Sequence, residues 1–351
     1  MNRHTGIRFK ITGAVMLLLV GCLLCGLHEV QARPRHLFKI ATMAPEGSVW
    51  METFHDFADE VLQKSGGTIG FKVYAGGVMG DDQAMYRKMR VGQLHGGGFT
   101  MTGIATTVPD FRIMALPFFF RSYGEVDAVK EGLLPLFKTK FAAKKLELIA
   151  MTEVGFVYAM GTAPITSIAD LKKGKCWSPA GDPLTATFLS AMGIMPIQLS
   201  IPDVLSSLQT GLVDTVFNSL YGSIVLQWFT KAKVVTDVPY GYAYGVFLLD
   251  RRAVAKLDPK ELDLIHTTAD KYFSALLQKT RQSNLDSRKT LMEHGVRFIP
   301  SPKEVLGELY GYRDQTITQL KDKAFSGEIY KRAAALLSAH RNSAARGKRQ
   351  P

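Results

Sequence analysis

Cysteine is scarce in this chain, and the sequence motifs of common catalytic sites are missing. Only three cysteines occur among 351 residues, and Cys22 and Cys25 lie in an apolar N-terminal segment. No G-x-S-x-G, H-E-x-x-H, P-loop or paired-cysteine zinc motif is present. The sequence HGGG at 95–98 matches the oxyanion segment of some esterases, but without a serine elbow it does not indicate a hydrolase. We therefore expect a protein that is not an enzyme and that uses neither a cofactor nor a metal.

Long apolar runs are limited to the N-terminus. Basic residues at 3, 8 and 10 precede the apolar stretch 11–27, and Val30-Gln31-Ala32 offers a small-residue cleavage site. This order predicts a secretory signal peptide over residues 1–32 and a periplasmic protein. The sequence LVGC at 19–22 also resembles a lipobox, so a lipid anchor at Cys22 is an alternative, and an uncleaved anchor is a third. After cleavage Cys176 would be alone, which excludes an intramolecular disulfide.

Positive charge is concentrated near the C-terminus. The net charge is +12, and residues 331–351 contain six basic residues and no acidic one. The region before this tail is therefore much closer to neutral, which argues against a nucleic-acid partner because basic residues do not cluster on a folded face. We expect the tail to be frayed and solvated, with contact to anionic lipid or to a partner as the alternative.

Strand and helix signals alternate along the body of the chain, which predicts the α/β class. Strands are predicted at 37–42, 71–74, 146–151, 195–199 and 213–217, with helices at 49–64 and 125–145. Asp182 is a good helix N-cap followed by Pro183. Asp258 and Pro259 begin the longest helical pattern, which reaches His294 and is long enough to cross two domains. Repeated strand–helix–strand units predict parallel sheets with helices on both faces.

Several segments resemble the substrate-binding proteins of TRAP transporters, the DctP-type family. VPDFRIMALPFFF at 108–120 is similar to the aromatic segment of that family, and YAGGVMGD at 74–81 to its glycine-rich turn. The most specific segment is MGIMPIQLSIPDVLSSLQTGLVD at 192–214, with Asp203 at the usual glutamate position. The likeness runs from about residue 37 to about residue 320.

The resemblance implies a two-lobed periplasmic binding protein of the type II-like kind, with crossing strands and a long helix that spans both lobes. Its lobes would close by hinge motion on a small molecule, which membrane permease subunits then receive. We assign lobe I to residues 33–158 plus 245–330, including the spanning helix 259–294, and lobe II to residues 159–244. Residues 331–351 form the basic tail. A homodimer and a ligand sensor for a membrane receptor stay open as alternatives.

An arginine that binds a substrate carboxylate through two hydrogen bonds is common in the family that this chain resembles, and it is missing here. It would follow the turn at 170–174, where this chain has Trp177 and Ser178. Arg112 or Lys175 could supply a cation instead. Alternatively, the cleft accepts a less charged, apolar or aromatic ligand.

Candidate ligand-binding residues follow from this comparison and from strand ends, where cleft residues gather in α/β sheets. Trp177 is the foremost aromatic candidate, and Asn218, Ser178, Thr100 and Thr102 are the polar ones. Asp182 would cap its helix and could also contact the ligand, while Cys176 would be a small buried residue. The other aromatic candidates are Phe99, Phe118, Tyr158, Phe217, Tyr221, Trp228 and Tyr242.

Overall fold

A computed structural model describes residues 33–347 of the chain. The predicted signal peptide and the alternative anchor at Cys22 lie outside the described residues. Nine strands are present: β1 (His36–Thr42), β2 (Ile69–Tyr74), β3 (Gly96–Thr100), β4 (Leu146–Gly161), β5 (Trp177–Pro179), β6 (Ile197–Leu199), β7 (Thr215–Ser219), β8 (Val234–Asp250) and β9 (Arg297–Ile299). Three short 3₁₀ turns lie at Pro109–Ala115, Ile201–Asp203 and Trp228–Thr230.

Twelve helices alternate with these strands in residues 33–347. They are α1 (Val49–Lys64), α2 (Asp82–Arg90), α3 (Met101–Ile104), α4 (Tyr123–Ala143), α5 (Ile168–Lys173), α6 (Pro183–Ala191), α7 (Val204–Thr210), α8 (Leu220–Val225), α9 (Arg251–Val254), α10 (Pro259–Glu293), α11 (Lys303–Leu320) and α12 (Gly327–Gly347). None of them is long and apolar enough to cross a membrane.

Two long antiparallel strands, β4 and β8, join the lobes. Near one end β8 pairs with β3, which continues to β1 and β2, and near the other end β4 pairs with β7 and β8 with β9. We call the part around β1, β2 and β3 the first lobe and the part around β5, β6 and β7 the second lobe. The pairing of β4 with β8 shifts register between Glu153 and Gly155 and again near Tyr158, so the ladder is interrupted where the chain passes between the lobes.

The sheet is mixed, which corrects the prediction of parallel sheets. Strand β1 pairs in parallel with β2 and β3, and β5 with β6, as repeated strand–helix units require. The pairs that involve β4 with β7 and β8 with β3 are antiparallel. The reason is that β4 and β8 cross between the lobes in opposite directions.

The predicted start of the long helix α10 is confirmed. Asp258 and Glu261 form a reciprocal capping box at its start, and Pro259 occupies the first turn. Its buried face includes Ile265, Phe273 and Leu276, which pack in the first lobe, and Leu291, which packs in the second. One rigid element therefore contacts both lobes.

The C-terminal segments pack differently from the prediction. Strand β9 and helix α11 contact the second lobe, through β8 and α6, although residues 245–330 were assigned to lobe I. The predicted lobe boundaries otherwise stay a prediction.

Much of the basic tail is helical and not frayed, at least as far as residue 347. Helix α12 packs on α4, with Ala333 and Leu337 buried, and Arg341 donates to both carboxylate oxygens of Glu125 at 2.8 and 3.0 Å. Apolar residues at helical spacing, such as Ala333 and Leu337, therefore give this basic stretch a buried face and stabilise it as a docked helix.

The triple glycine at 96–98 allows close approach of neighbouring groups. A Cβ at Gly96 would lie 2.4 Å from the Leu248 carbonyl oxygen, and one at Gly97 would lie 2.7 Å from that of Ala41. A Cβ at Gly98 would lie 2.5 Å from the indole of Trp50. Residues with side chains would therefore displace both neighbouring strands and helix α1.

Gly98→Ala is expected to lower the free energy of unfolding by about 1–3 kcal/mol, because the added methyl group overlaps Trp50 and Thr42. Urea denaturation measures this change. Gly307→Ala is the matched control, because nothing lies within 4 Å of its Cβ position in α11 and alanine favours a helix. Equal stability of Gly98→Ala and the wild type would contradict this packing.

Candidate functional site

A cavity of about 270 Å³ lies where β4 and β8 pass between the lobes. Both lobes contribute to its wall, which includes Thr42 and Thr100 from the first lobe and Asn218 from the second. All three tryptophans of the chain line it, and other aromatic rings complete the wall: Trp50, Phe99, Trp177, Phe217, Tyr221, Trp228, Tyr240 and Tyr242. This is the composition of a pocket for a small organic molecule.

Trp177 is held in one orientation at the start of β5. Its ring nitrogen donates a hydrogen bond to the Leu199 carbonyl oxygen at 3.0 Å, and its ring meets that of Trp228 edge-on at 5.2 Å. The indole therefore presents a fixed apolar surface to the cavity while it also belongs to the core of the second lobe. The strand begins at this residue.

Asp182 caps helix α6, as predicted. Its two carboxylate oxygens accept hydrogen bonds from the backbone nitrogens of Leu184 and Thr185, each at 3.1 Å. The carboxylate also lines the cavity. Its negative charge is therefore stabilised by the helix N-terminus, and the buried guanidinium of Arg112 lies close enough to attract it.

Asp82 lies buried behind Thr100, which lines the cavity. Its Oδ1 accepts from the Thr100 backbone nitrogen at 3.0 Å, and its Oδ2 is hydrogen-bonded to the Thr100 hydroxyl. Desolvation by burial raises the pKa of this carboxyl to about 7, despite the opposing hydrogen bonds. Its neighbour Asp81 is the residue that caps α2.

A buried ion network forms part of the cavity wall. Arg281 on α10 binds both carboxylate oxygens of Glu153 at 2.8 Å, and it binds those of Asp127 at 2.6 and 2.9 Å. The Tyr244 hydroxyl donates to Glu153 at 3.2 Å, and the guanidinium of Arg281 lies over the Tyr123 ring. Glu153, the member that lines the cavity, is therefore fully paired.

A second set of contacts connects the two lobes at the crossing strands. The Tyr221 hydroxyl of the second lobe accepts a hydrogen bond from the Val49 backbone nitrogen of the first lobe at 3.1 Å. The Tyr221 nitrogen donates to the Asn284 side chain on α10, which in turn donates to the Val154 carbonyl oxygen at 2.9 Å. Gly155 follows with φ +115°, and a Cβ there would lie 2.6 Å from Asn284. Only glycine adopts this conformation readily, so the strand bends at this position.

Ten of the predicted ligand-binding residues line the cavity. They are Phe99, Thr100, Thr102, Trp177, Asp182, Phe217, Asn218, Tyr221, Trp228 and Tyr242. Their contacts with a ligand stay a prediction.

The other predicted residues lie elsewhere. Ser178 points away from the cavity and is fully buried, since side chains alternate along the strand after Trp177. Tyr158 packs against the core of the second lobe. Phe118 lines a separate small apolar cavity, together with Phe188 and Tyr240.

Neither of the expected cations reaches the cavity. Arg112 is buried and donates to the Ala324 carbonyl oxygen at 3.2 Å, in the direction of the α11–α12 junction. The Lys175 amine donates to the Gly211 carbonyl oxygen at 2.8 Å on the surface. Cys176 is buried, as expected, and burial raises the pKa of its thiol to about 12. In residues 33–347, no His, Cys, Asp and Glu side chains cluster in a group of three or more that could hold a metal ion.

Sequence reasoning missed several residues of this site. Glu153, Arg281 and Asn284 come together only through the crossing of β4 and α10, which no local pattern indicates. Trp50 was assigned to the apolar stripe of its helix. Its position just after β1 and the helix cap Ser48 is the signal that could have placed it at a cleft.

Comparison with known proteins gives a consistent result. The family model for bacterial extracellular solute-binding protein family 7, DctP, matches residues 40–318. A solute-binding protein of Verminephrobacter eiseniae is 25% identical over 57% of this chain, and the match spans only 60% of that relative's length.

Solved structures show the same fold. A TRAP periplasmic solute-binding protein of Desulfovibrio salexigens with bound orotic acid has a TM-score of 0.79 at 16% identity, covering 87% of this chain and 99% of its own. The sugar acid binding protein of Advenella mimigardefordensis in complex with galactonate has a TM-score of 0.81 at 22% identity, covering 88% and 99%.

Two α/β lobes joined by crossing strands, with a cavity between them, are the fold of these solved solute-binding proteins. The chain belongs to family 7 of the bacterial extracellular solute-binding proteins.

The free energy of unfolding is expected to depend on Asp82 between about pH 4 and pH 7. The folded carboxyl keeps its proton up to about pH 7, whereas the unfolded one ionises near 3.8, so the folded state binds more protons in this range. Its stabilising contribution is complete below pH 3.8 and is lost as pH rises to 7, by at most about 1.4 kcal/mol per pH unit. Denaturation of Asp82→Asn from pH 5 to 7.5 should therefore show a growing advantage over the wild type. Asp81→Asn serves as the control, and parallel curves for Asp82→Asn and wild type would contradict the assignment.

Arg281→Met is expected to lower the free energy of unfolding by about 3–5 kcal/mol, because it leaves Glu153 buried without its counter-charge. The double variant Glu153→Gln with Arg281→Met should recover a substantial part of the loss in urea denaturation. Lys289→Met, at an exposed pair on the same helix, should change stability by less than about 0.5 kcal/mol. A loss at Arg281 no greater than that at Lys289 would rule out a structural role for the network.

Proposed function

We propose that this protein is the extracytoplasmic solute receptor of a TRAP-type secondary transporter. It captures a small organic solute in the cavity between its lobes and delivers it to membrane permease subunits. The family match and the two-lobed fold support this function, and members of this class are binding proteins without catalytic activity. We place the receptor in the periplasm, and a homodimer stays a prediction.

The single observation that carries the proposal is the cavity shared by both lobes at the point where the crossing strands bend. Thr100 of the first lobe and Asn218 of the second lobe both line the cavity, so a molecule inside it contacts both lobes. Gly155 and the register shift beside it provide a bend in β4. A ligand that bridges the lobes therefore stabilises the closed arrangement, which is the signal that a permease can recognise.

A ligand sensor for a membrane receptor would use the same closing cleft. Permease genes beside the gene for this protein would favour transport, and a sensor-kinase gene in that position would favour sensing. The class of ligand is a separate question. The sequence leaves two classes open, a carboxylate and an apolar or aromatic molecule, and these two differ in charge. Relatives of known structure have bound orotic acid and galactonate, which supports a small organic molecule as the cargo class.

Native mass spectrometry of the mature protein from its host tests the proposal. We expect a small molecule bound at one copy per chain, and we expect its removal to lower the melting temperature without formation of any product. Conversion of the captured molecule by the protein would contradict the receptor function.

Tyr221→Phe is expected to weaken binding of the captured molecule by roughly twofold to tenfold, because it removes the hydrogen bond from Val49 that joins the closed lobes. Isothermal titration calorimetry measures the change. Tyr272→Phe is the matched control, because its hydroxyl binds Glu60 outside the cleft. Equal affinities for Tyr221→Phe and Tyr272→Phe would show that this interlobe hydrogen bond does not stabilise the closed form.

A further inference from the structure

The cavity wall contains acidic and neutral groups but no basic side chain. Among its lining residues, all within 33–347, there is no lysine, arginine or histidine, and the only charged ones are Glu153 and Asp182. A carboxylate that leaves water needs a counter-charge or several strong donors to offset its lost hydration. The charge of this wall therefore works against an anionic ligand.

Arg281, the buried cation that is bound to Glu153 of the wall, is already neutralised. Arg281 uses both edges of its guanidinium, one for Glu153 and one for Asp127. Lys130 pairs with Asp127 as well, at 3.6 Å, so the two carboxylates and the two cations of this group balance each other. Arg281 therefore cannot replace the missing arginine, and Glu153 stands between it and the cavity.

Asp182 is the second acidic residue of the same wall, and the buried Arg112 offsets part of its charge from behind the wall. Its carboxylate is bound to the first turn of α6, so that helix N-terminus is occupied by the protein's own anion. A ligand carboxylate near α6 would be repelled by Asp182. Acidic groups thus occupy the positions where an anion could otherwise bind.

Two uncharged donors, by contrast, are available to a ligand. The Tyr242 hydroxyl lines the cavity, is buried, and has no hydrogen-bond partner within residues 33–347. Asn218 uses its Oδ1 to accept from the Ser219 nitrogen, which leaves its amide NH₂ group to donate. A buried hydroxyl such as that of Tyr242 is normally satisfied, so it indicates an acceptor atom on the molecule that fills the cavity. The half-buried amide of Asn218 is free to donate to the same molecule.

Aromatic faces surround these donors. Trp50 stacks on Phe54 on the first-lobe side, and Trp177 and Trp228 lie on the second-lobe side. Phe217 and Tyr240 pack together with ring centroids 5.2 Å apart. Such a wall suits a flat apolar body, because aromatic pairs gain stacking and edge contacts in addition to buried area.

We propose that the cavity selects an uncharged organic molecule with a ring or other flat apolar body and carbonyl or hydroxyl oxygens that accept from Tyr242 and Asn218. A carboxylate is disfavoured because no lysine, arginine or histidine lines the cavity to pair with it, while both charged lining residues, Glu153 and Asp182, are acidic. This inference rests on the proposed receptor function and specifies its cargo.

The test uses a small-molecule extract of the source bacterium, separated on an anion-exchange resin at neutral pH. The flow-through contains uncharged and cationic molecules, and the eluate contains acids. The protein is unfolded and refolded to remove any bound molecule, and its melting temperature is then measured with each fraction. We expect the melting temperature to rise with the flow-through and not with the eluate. The rise should persist after a cation-exchange step has removed cations from the flow-through.

The other outcomes separate the two claims. A rise with the acid eluate, alone or beside the flow-through, would overturn the ligand class while it leaves the receptor function intact. A rise that disappears with the cation-exchange step would also overturn the uncharged class. No rise with any fraction would contradict the receptor function itself.

Tyr242→Phe tests the recognition step with the active flow-through fraction. Removal of the hydroxyl should weaken binding about fivefold to tenfold, measured as the dilution of the fraction that gives half of the maximal change in tryptophan fluorescence. All three tryptophans line the cavity, so this signal reports on its occupation. Without ligand the variant should be at least as stable as the wild type, because it loses a buried hydroxyl that has no partner.

Tyr272→Phe is the matched control. Its hydroxyl binds Glu60 and Tyr272 does not line the cavity, so this variant should keep the response to the fraction. Responses of Tyr242→Phe and Tyr272→Phe that both equal that of the wild type would show that the ligand does not accept from Tyr242.

Discussion

The pairing of β4 with β8 is the constraint on which the rest of the structure depends. Strands of 16 and 17 residues run side by side through both lobes, and the register of their ladder shifts at several points. The shifts between Glu153 and Gly155 and between Val157 and Tyr158 lie where the strands pass between the lobes. An interrupted ladder bends more easily than a regular one because fewer hydrogen bonds must change. The cleft lies at these central shifts. The cavity, the buried ion network and the interlobe hydrogen bond of Tyr221 all lie beside it.

The charges around this bend have a structural role that also shapes ligand choice. Arg281 connects α10 to β4 through Glu153 and to α4 through Asp127, so three elements of the first lobe are joined by one guanidinium. Breaking such a group by loss of one partner is costly, since the remaining charges stay buried. The same arrangement leaves no free cation at the cavity within residues 33–347. Rigid support for the bend and the absence of a carboxylate-binding group thus have a common origin.

Local patterns in the sequence predicted much of the fold. Helix α1 has the predicted bounds, and the caps Asp182 and Asp258 are confirmed, because caps and apolar periodicity act over a few residues. The family and its two-lobed fold were also predicted from motif order. The direction of β4 and β8, the docking of α12 on α4 and the burial of Arg112 were not, because each depends on contacts between distant segments. The site divides in the same way: Asn218 directly follows the predicted strand 213–217, whereas Glu153 and Arg281 meet although they are 128 residues apart.

The central claim is that the lobes close on a bound molecule about the bend in β4. Small-angle X-ray scattering tests this claim most directly. The radius of gyration is compared for protein freed of bound molecules and for the same sample saturated with the molecule recovered from the host. The account predicts a smaller radius with the molecule present. It also predicts a smaller difference in Gly155→Ala, since a methyl group there would overlap Asn284 and strain the bend. An identical radius with and without the molecule in the wild type would contradict it.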